Sequence, residues 1–285
     1  MGPHEAAFTG QLYSLEDSND RRTGVPTVHN GEWASYGVLS GILHAIRFTE
    51  DPERQLLLLA RAHGLYRISK KGISFEDIGK DDEGFLMDLR RIGARWYAVG
   101  GHHHVYREEA TGWQRFDQGV HIPDEPGEAR ILLSIDGVAE DDIYAVGFNG
   151  VILHHDGSAW AELESPTNVG LQRVLCVSRD EVYICGYGNA LYRGNRTGWQ
   201  ALTAPDENVV YWDMARFHGR IYVCTKQRLF VLNGDRLDEV DIPVEGPLGF
   251  YRLDASDTEL WSCGNECVLR FDGTTWTQYV WPDNA

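Results

Sequence analysis

The sequence predicts an all-β chain built as a β-propeller, a ring of four-stranded antiparallel blades. Three observations predict it: a repeat of about forty residues, a strand-and-turn rhythm inside each repeat, and the lack of any sustained helical period.

Five segments share one core: "RWYAVGG" from Arg95, "DIYAVGF" from Asp142, "EVYICGY" from Glu181, "RIYVCTK" from Arg220 and "ELWSCGN" from Glu259. Their aromatics fall at Tyr97, Tyr144, Tyr183, Tyr222 and Trp261, the last four spaced by 39 residues and the first gap by 47. "QLLLLARAHG" from Gln55 is a more degenerate member. A bulky residue follows each core at a nearly fixed distance: Phe75, Trp113, Trp160, Trp199, Leu237 and Trp276. "TVHNGEWASY" around Trp33 resembles "ILHHDGSAWAEL" around Trp160 and adds a further unit at the N-terminus.

Within a unit the reading is all β. Residues 130–164 run "RILLSID", "DIYAVG", turn "FNG", "VILHH", turn "DGSA", "WAELE". These are four short strands rich in β-branched and aromatic residues, parted by Gly, Asp and Asn. Strands such as "VILH" do not alternate cleanly, as expected when a blade buries both faces against its neighbours. The expectation is one domain over 1–285, with blades at 1–38, 39–80, 81–121, 122–166, 167–205, 206–244 and 245–285. Seven blades are favoured and six are the alternative, because the N-terminal unit has only a doubtful first strand near residues 4–9.

Composition narrows the function. The chain carries 26 Lys+Arg against 43 Asp+Glu, a formal net charge of -17. That field repels nucleic acid and anionic membrane and favours a basic partner. No apolar run is long enough to span a bilayer, and "MGPHEAAFTG" lacks the charged-then-apolar order of a secretory signal. Five cysteines in no metal-binding spacing suit a reducing cytoplasm. Cys185, Cys224 and Cys263 share one repeat position with Val99 and Val146, which reads as small buried packing.

Two stretches carry a resemblance. "DDIYAVGFNGVILHHDGSAW" (141–160) and "ELWSCGNECVLRFDGTTW" (259–276) resemble the units of bacterial Asp-box or BNR-like propellers, relatives in architecture of WD and YVTN repeats. The resemblance implies that Asp156 and Asp272 bond backbone in a hairpin turn while the Trp packs beneath. Such repeats occur in glycosidases, assembly factors and binding proteins, so the fold alone does not set the activity.

Candidate site residues follow from the repeat. Propellers bind ligands on the face that carries the turns between second and third strands and the connections between blades. Acidic residues recur in those connections at Asp81, Asp82, Glu83, Asp124, Glu125, Asp206 and Glu207, and the turns add His102, His103, Tyr187 and Arg228. Together they form the expected partner-binding set. The opposite face also collects acid, including Glu140, Asp141, Asp142, Asp180 and Glu181.

"GHHH" aligns with turns that hold Asn149-Gly150 or Gly188-Asn189 in other units, with His104 opening the third strand. Consecutive strand residues point to opposite faces, so the three imidazoles cannot converge on one ion. No metal or cofactor is expected. A metal would need His102 or His103 with an outside ligand, for which His63 on the preceding blade is best placed.

No G-x-S-x-G, H-E-x-x-H or Walker-type loop occurs, nor the "[FY]RIP" motif of sialidase-like propellers. The favoured reading is a non-enzymatic, monomeric protein-binding propeller, of immunity or antitoxin type, that captures a basic partner through an acidic loop face. Two alternatives stand beside it: a glycoside or other hydrolase that uses loop carboxylates, and an assembly-factor scaffold.

Overall fold

A computed structural model describes residues 5–7, 10–11, 22–29, 32–40, 42–50, 53–79, 84–122, 130–203, 208–246, 248–264 and 267–279. Six sheets have four strands in simple consecutive order: blade one spans 43–77, blade two 86–115, blade three 132–162, blade four 171–201, blade five 213–239 and blade six 252–279. All neighbouring strands are antiparallel, as the short Gly- and Asp-containing turns require.

A seventh sheet at the N-terminus departs from this plan. Glu5–Ala7 and Gly10–Gln11 both pair with the single strand Arg22–His29, which pairs on its other edge with Glu32–Ser40. Two short strands share one edge, so the sheet is narrower than a blade. Among the described residues there are therefore six regular blades, the alternative count, with an irregular sheet in the place of a seventh. That sheet closes the ring. Its Val25 and Leu39 pack with Leu43, Leu56 and Leu58 of blade one, and its Val28 and Trp33 pack with Trp261 and Val268 of blade six.

Stacking explains the sequence pattern. The second strand of blade three, Asp142–Gly147, is buried at every position, whereas the outer strand Gly72–Asp77 of blade one is almost wholly exposed. The repeat aromatics Tyr97, Tyr144, Tyr183, Tyr222 and Trp261 are all buried, each contributing about 1.5–3 kcal/mol of apolar transfer. The repeat cysteines behave as packing residues, and burial pushes the Cys263 thiol up to about 12.

The glycine that ends four of the six cores is a close-approach residue. A Cβ at Gly100, Gly147, Gly186 or Gly264 would overlap the carbonyl oxygen of Phe85, Ile131, Gly170 or Gly249, where the chain enters the first strand of the same blade. Blades one and five carry Ala60 and Thr225 there, and blades five and six share one entry bond, Trp212 N–H to Cys224 O and Tyr251 N–H to Cys263 O, each at 2.9 Å.

Charged residues join the blades at the hub. Asp88 in blade two accepts Arg47 at 2.8 Å from blade one, Arg173 at 3.1 Å from blade four, and the Ile135 N–H of blade three at 3.3 Å. Asp136 of blade three accepts Arg90 at 3.0 Å and the Cys176 N–H of blade four at 2.8 Å. Asp213 of blade five accepts Arg173 at 2.9 Å and the Leu253 N–H of blade six at 3.2 Å. Each aspartate thus ties its own inner strand to the backbone of the next blade. Burial alone would raise the Asp88 carboxyl, but Arg173 and Arg47 beside it carry it below the ordinary range.

Candidate functional site

One face of the ring gathers the turns between second and third strands with the connections between blades. Backbone bonds fix that grouping: Asn189 N–H to Val209 O at 3.0 Å, Phe250 N–H to Lys226 O at 2.9 Å, and Ile122 N–H to His102 O at 3.1 Å. Each bond joins a turn to an inter-blade connection, so both kinds of segment share the surface that the repeat assigned to them.

The sequence-predicted residues divide there. Asp81, Asp82, Glu83, Asp124, Glu125, Asp206 and Glu207 lie outside the described residues. His102 is half-exposed, with a left-handed φ of 54°. His103 is a correction: at 5% exposure it is withdrawn from the surface. Burial first, then the nearby Arg130 charge, lowers its imidazole to about 4. Arg228 is half-buried, 5.2 Å over the Phe230 ring and 3.6 Å from Glu239.

Tyr187 is the predicted residue that finds company. Its ring meets Trp212 edge-on at 6.0 Å, and Trp212 meets Tyr251 at 5.6 Å. Phe148 extends the row on the other side, and Gly170 keeps the gap, since a Cβ there would sit 3.0 Å from both the Phe148 and Tyr187 rings. The four half-buried aromatics span blades three to six. Half-exposed Tyr and Trp offer large apolar area at small entropic cost, which is how interface hot spots are built. Composition and repeat alignment missed Trp212 and Tyr251. The available signal was their place: each is the last residue before a first strand.

The opposite face uses its acid internally. Asp141 pairs with Arg179 at 2.6 Å, Glu140 with Arg95, Asp142 with His154 at 2.8 Å, and Glu259 with Arg270 at 3.3 Å. Asp142–His154 and Glu259–Arg270 close a hairpin within one blade, and the other two pairs join neighbouring blades.

A cavity of about 300 Å³ occupies the hub, lined by His44, Arg47, Asp88, Arg173, Asp213 and Arg252 among others. A glycosidase needs one carboxyl kept protonated beside one kept ionised. Asp88 and Asp213 instead share the Arg173 guanidinium, and Asp88 is pulled down. That arrangement joins blades and does not make an acid–base pair.

The metal expectation is also redrawn. Among the described residues, the donors within mutual reach are His104, Asp117 and His121, and neither His63 nor His102 is one of them. His63 is buried at 2% exposure with a φ of 53°.

Against known proteins, no protein-family model matches the sequence. The immune protein Tsi7 of Pseudomonas aeruginosa is 31% identical over 274 residues, covering 93% of this chain and 90% of its own. The chain belongs to the Tsi7 family. Its fold is shared more widely. The WD40 β-propeller domain of Doa1 superposes with a TM-score of 0.65 at 10% identity, over 98% of this chain and 97% of that one. YCF48, solved bound to D1 peptide, gives 0.63 at 13% identity over 92% and 89%. Those likenesses establish the propeller, and the Tsi7 relation is the one that bears on function.

Proposed function

We propose that this chain is an immunity protein that binds and neutralises a toxin protein, one to one, in the cytoplasm. The carrying observation is the 31% identity to an immune protein over 93% of the chain. The surface that fits the task is the row Phe148, Tyr187, Trp212 and Tyr251, flanked by His102 and the turn at Lys226, Gln227 and Arg228. A net charge of -17 favours a basic toxin surface and speeds its encounter. Five free cysteines suit a reducing compartment. The turn geometry supports the finer kinship with Asp-box propellers: Asp156 accepts the Ser158 and Ala159 N–H groups at 2.9 and 3.0 Å, and Asp272 those of Thr274 and Thr275 at 2.9 and 2.8 Å.

The test is co-purification of the native chain with the product of the neighbouring reading frame, followed by titration of that partner. Trp212→Ala and Tyr187→Ala are each expected to weaken binding by about 2 kcal/mol or more, roughly thirtyfold, in protein that still unfolds cooperatively. Binding by both variants at full strength would remove the aromatic row from the interface. Binding that holds as salt rises would remove the basic partner.

A further inference from the structure

We propose that His104, Asp117 and His121 form a binding site for an imidazole-preferring transition-metal ion of the zinc class. The three residues come from two segments: His104 immediately precedes the third strand of blade two, and Asp117 and His121 lie in the turn that follows its fourth strand. Their donor atoms all lie within 4.8 Å of one another.

Each ligand is held for the purpose. His104 is 3% exposed and its ring stacks on Tyr106 with planes 9° apart. Its buried Nδ1 makes no hydrogen bond and lies 3.4 Å from Asp117 Oδ2. Asp117 is itself 4% exposed, and Arg115 grips its Oδ2 through Nε at 2.9 Å and a terminal nitrogen at 2.6 Å. The Asp117 carbonyl accepts the N–H groups of Val120 and His121 at 3.1 Å, which curls the turn so that the His121 ring comes within 4.8 Å of the His104 ring. His121 Nδ1 sits 3.3 Å from the His102 carbonyl oxygen. An imidazole that donates one N–H to backbone presents the other nitrogen, Nε2, as a lone pair, the arrangement that orients metal-ligating histidines.

Chemistry selects the ion. Two imidazoles and one carboxylate suit zinc, nickel or copper, whereas calcium and magnesium want more oxygen donors. Arg115 already offsets the Asp117 charge, which weakens the pull on hard cations further. Zinc bonds of about 2.0–2.1 Å place ligand atoms about 3.3 Å apart, so the triangle must contract. His121 is exposed and supplies that movement. With three protein donors, the fourth position faces the surface on the turn-and-connection face.

The inference is tested on the free full-length chain without a histidine tag, after chelator treatment, so its outcome is independent of any toxin partner. Zinc titration against a chromophoric chelator is expected to show one ion per chain. Cobalt in its place is expected to show the visible absorption of a four-coordinate ion. H121A should bind zinc about 10–100-fold more weakly, at least the loss that follows removal of an outer-sphere partner. H104Q should lose the cobalt band, and H218A, at an exposed histidine elsewhere, should bind as the parent does. No uptake up to millimolar zinc, or uptake that H121A and H104Q both leave intact, overturns the assignment.

Discussion

Asp88, Asp136 and Asp213 stand at the hub of the propeller, and Asp156 and Asp272 stand in hairpin turns at its outer side. The hub aspartates bond across blades, from blade two to three, three to four and five to six. The turn aspartates bond residues two and three positions ahead in their own hairpin. In both places a carboxylate satisfies backbone N–H groups; Asp88 at the hub is held below its ordinary range, and Asp272 in its turn is held down to about 2. The difference lies in what each bond spans. A turn bond is local and closes a loop already short, whereas a hub bond is long-range and buried, with arginines that depend on it.

Substitution should separate the two sets. Asp88→Ala leaves Arg47 and Arg173 facing a buried gap, and is expected to cost about 3–5 kcal/mol in denaturant unfolding. A loss no larger than that of a surface change would show that water replaces the carboxylate at the hub. Gly147→Ala drives a methyl onto the Ile131 carbonyl and is expected to cost about 1–3 kcal/mol. Acid should act on the hub in a set direction. Because the Asp88 carboxyl is depressed in the fold, its contribution is complete above its ordinary 3.8 and is lost as pH falls through the lower folded value. Thermal melts from pH 5 to pH 2 should therefore decline in the parent and decline less steeply in Asp88→Asn. Asp156→Ala should give the smallest effect, a slight fall in melting temperature with the same unfolding cooperativity.

The sequence carried the blades because local rules write them: alternation of strand and turn, the core aromatic, the terminal glycine and the turn aspartate all recur within one unit. The three-histidine run was placed correctly in its turn, where the His102 and His104 rings meet edge-on at 5.6 Å. What the run concealed was that His104, buried like His103, meets Asp117 and His121 from a later turn. The hub was not legible for the same reason. Asp88 and Ile135 are 47 positions apart, and only the closed ring brings them together. A faint signal existed in the charges that interrupt apolar first strands, "MDLRR" and "SIDGV" among them. The N-terminal sheet escaped because its strands break the repeat order: two short segments share an edge that one strand occupies elsewhere.

The placement of that sheet has a consequence for how the protein is made. Val28 and Trp33 are translated before any of the six blades, yet their packing partners Trp261 and Val268 stand in the last of them. Blades one to five can stack one upon the next as they appear, but the N-terminal sheet keeps one apolar side bare throughout. Closing the ring joins the first-made of its sheets to the last-made, and until both are present the nascent ring is an arc with one apolar side bare.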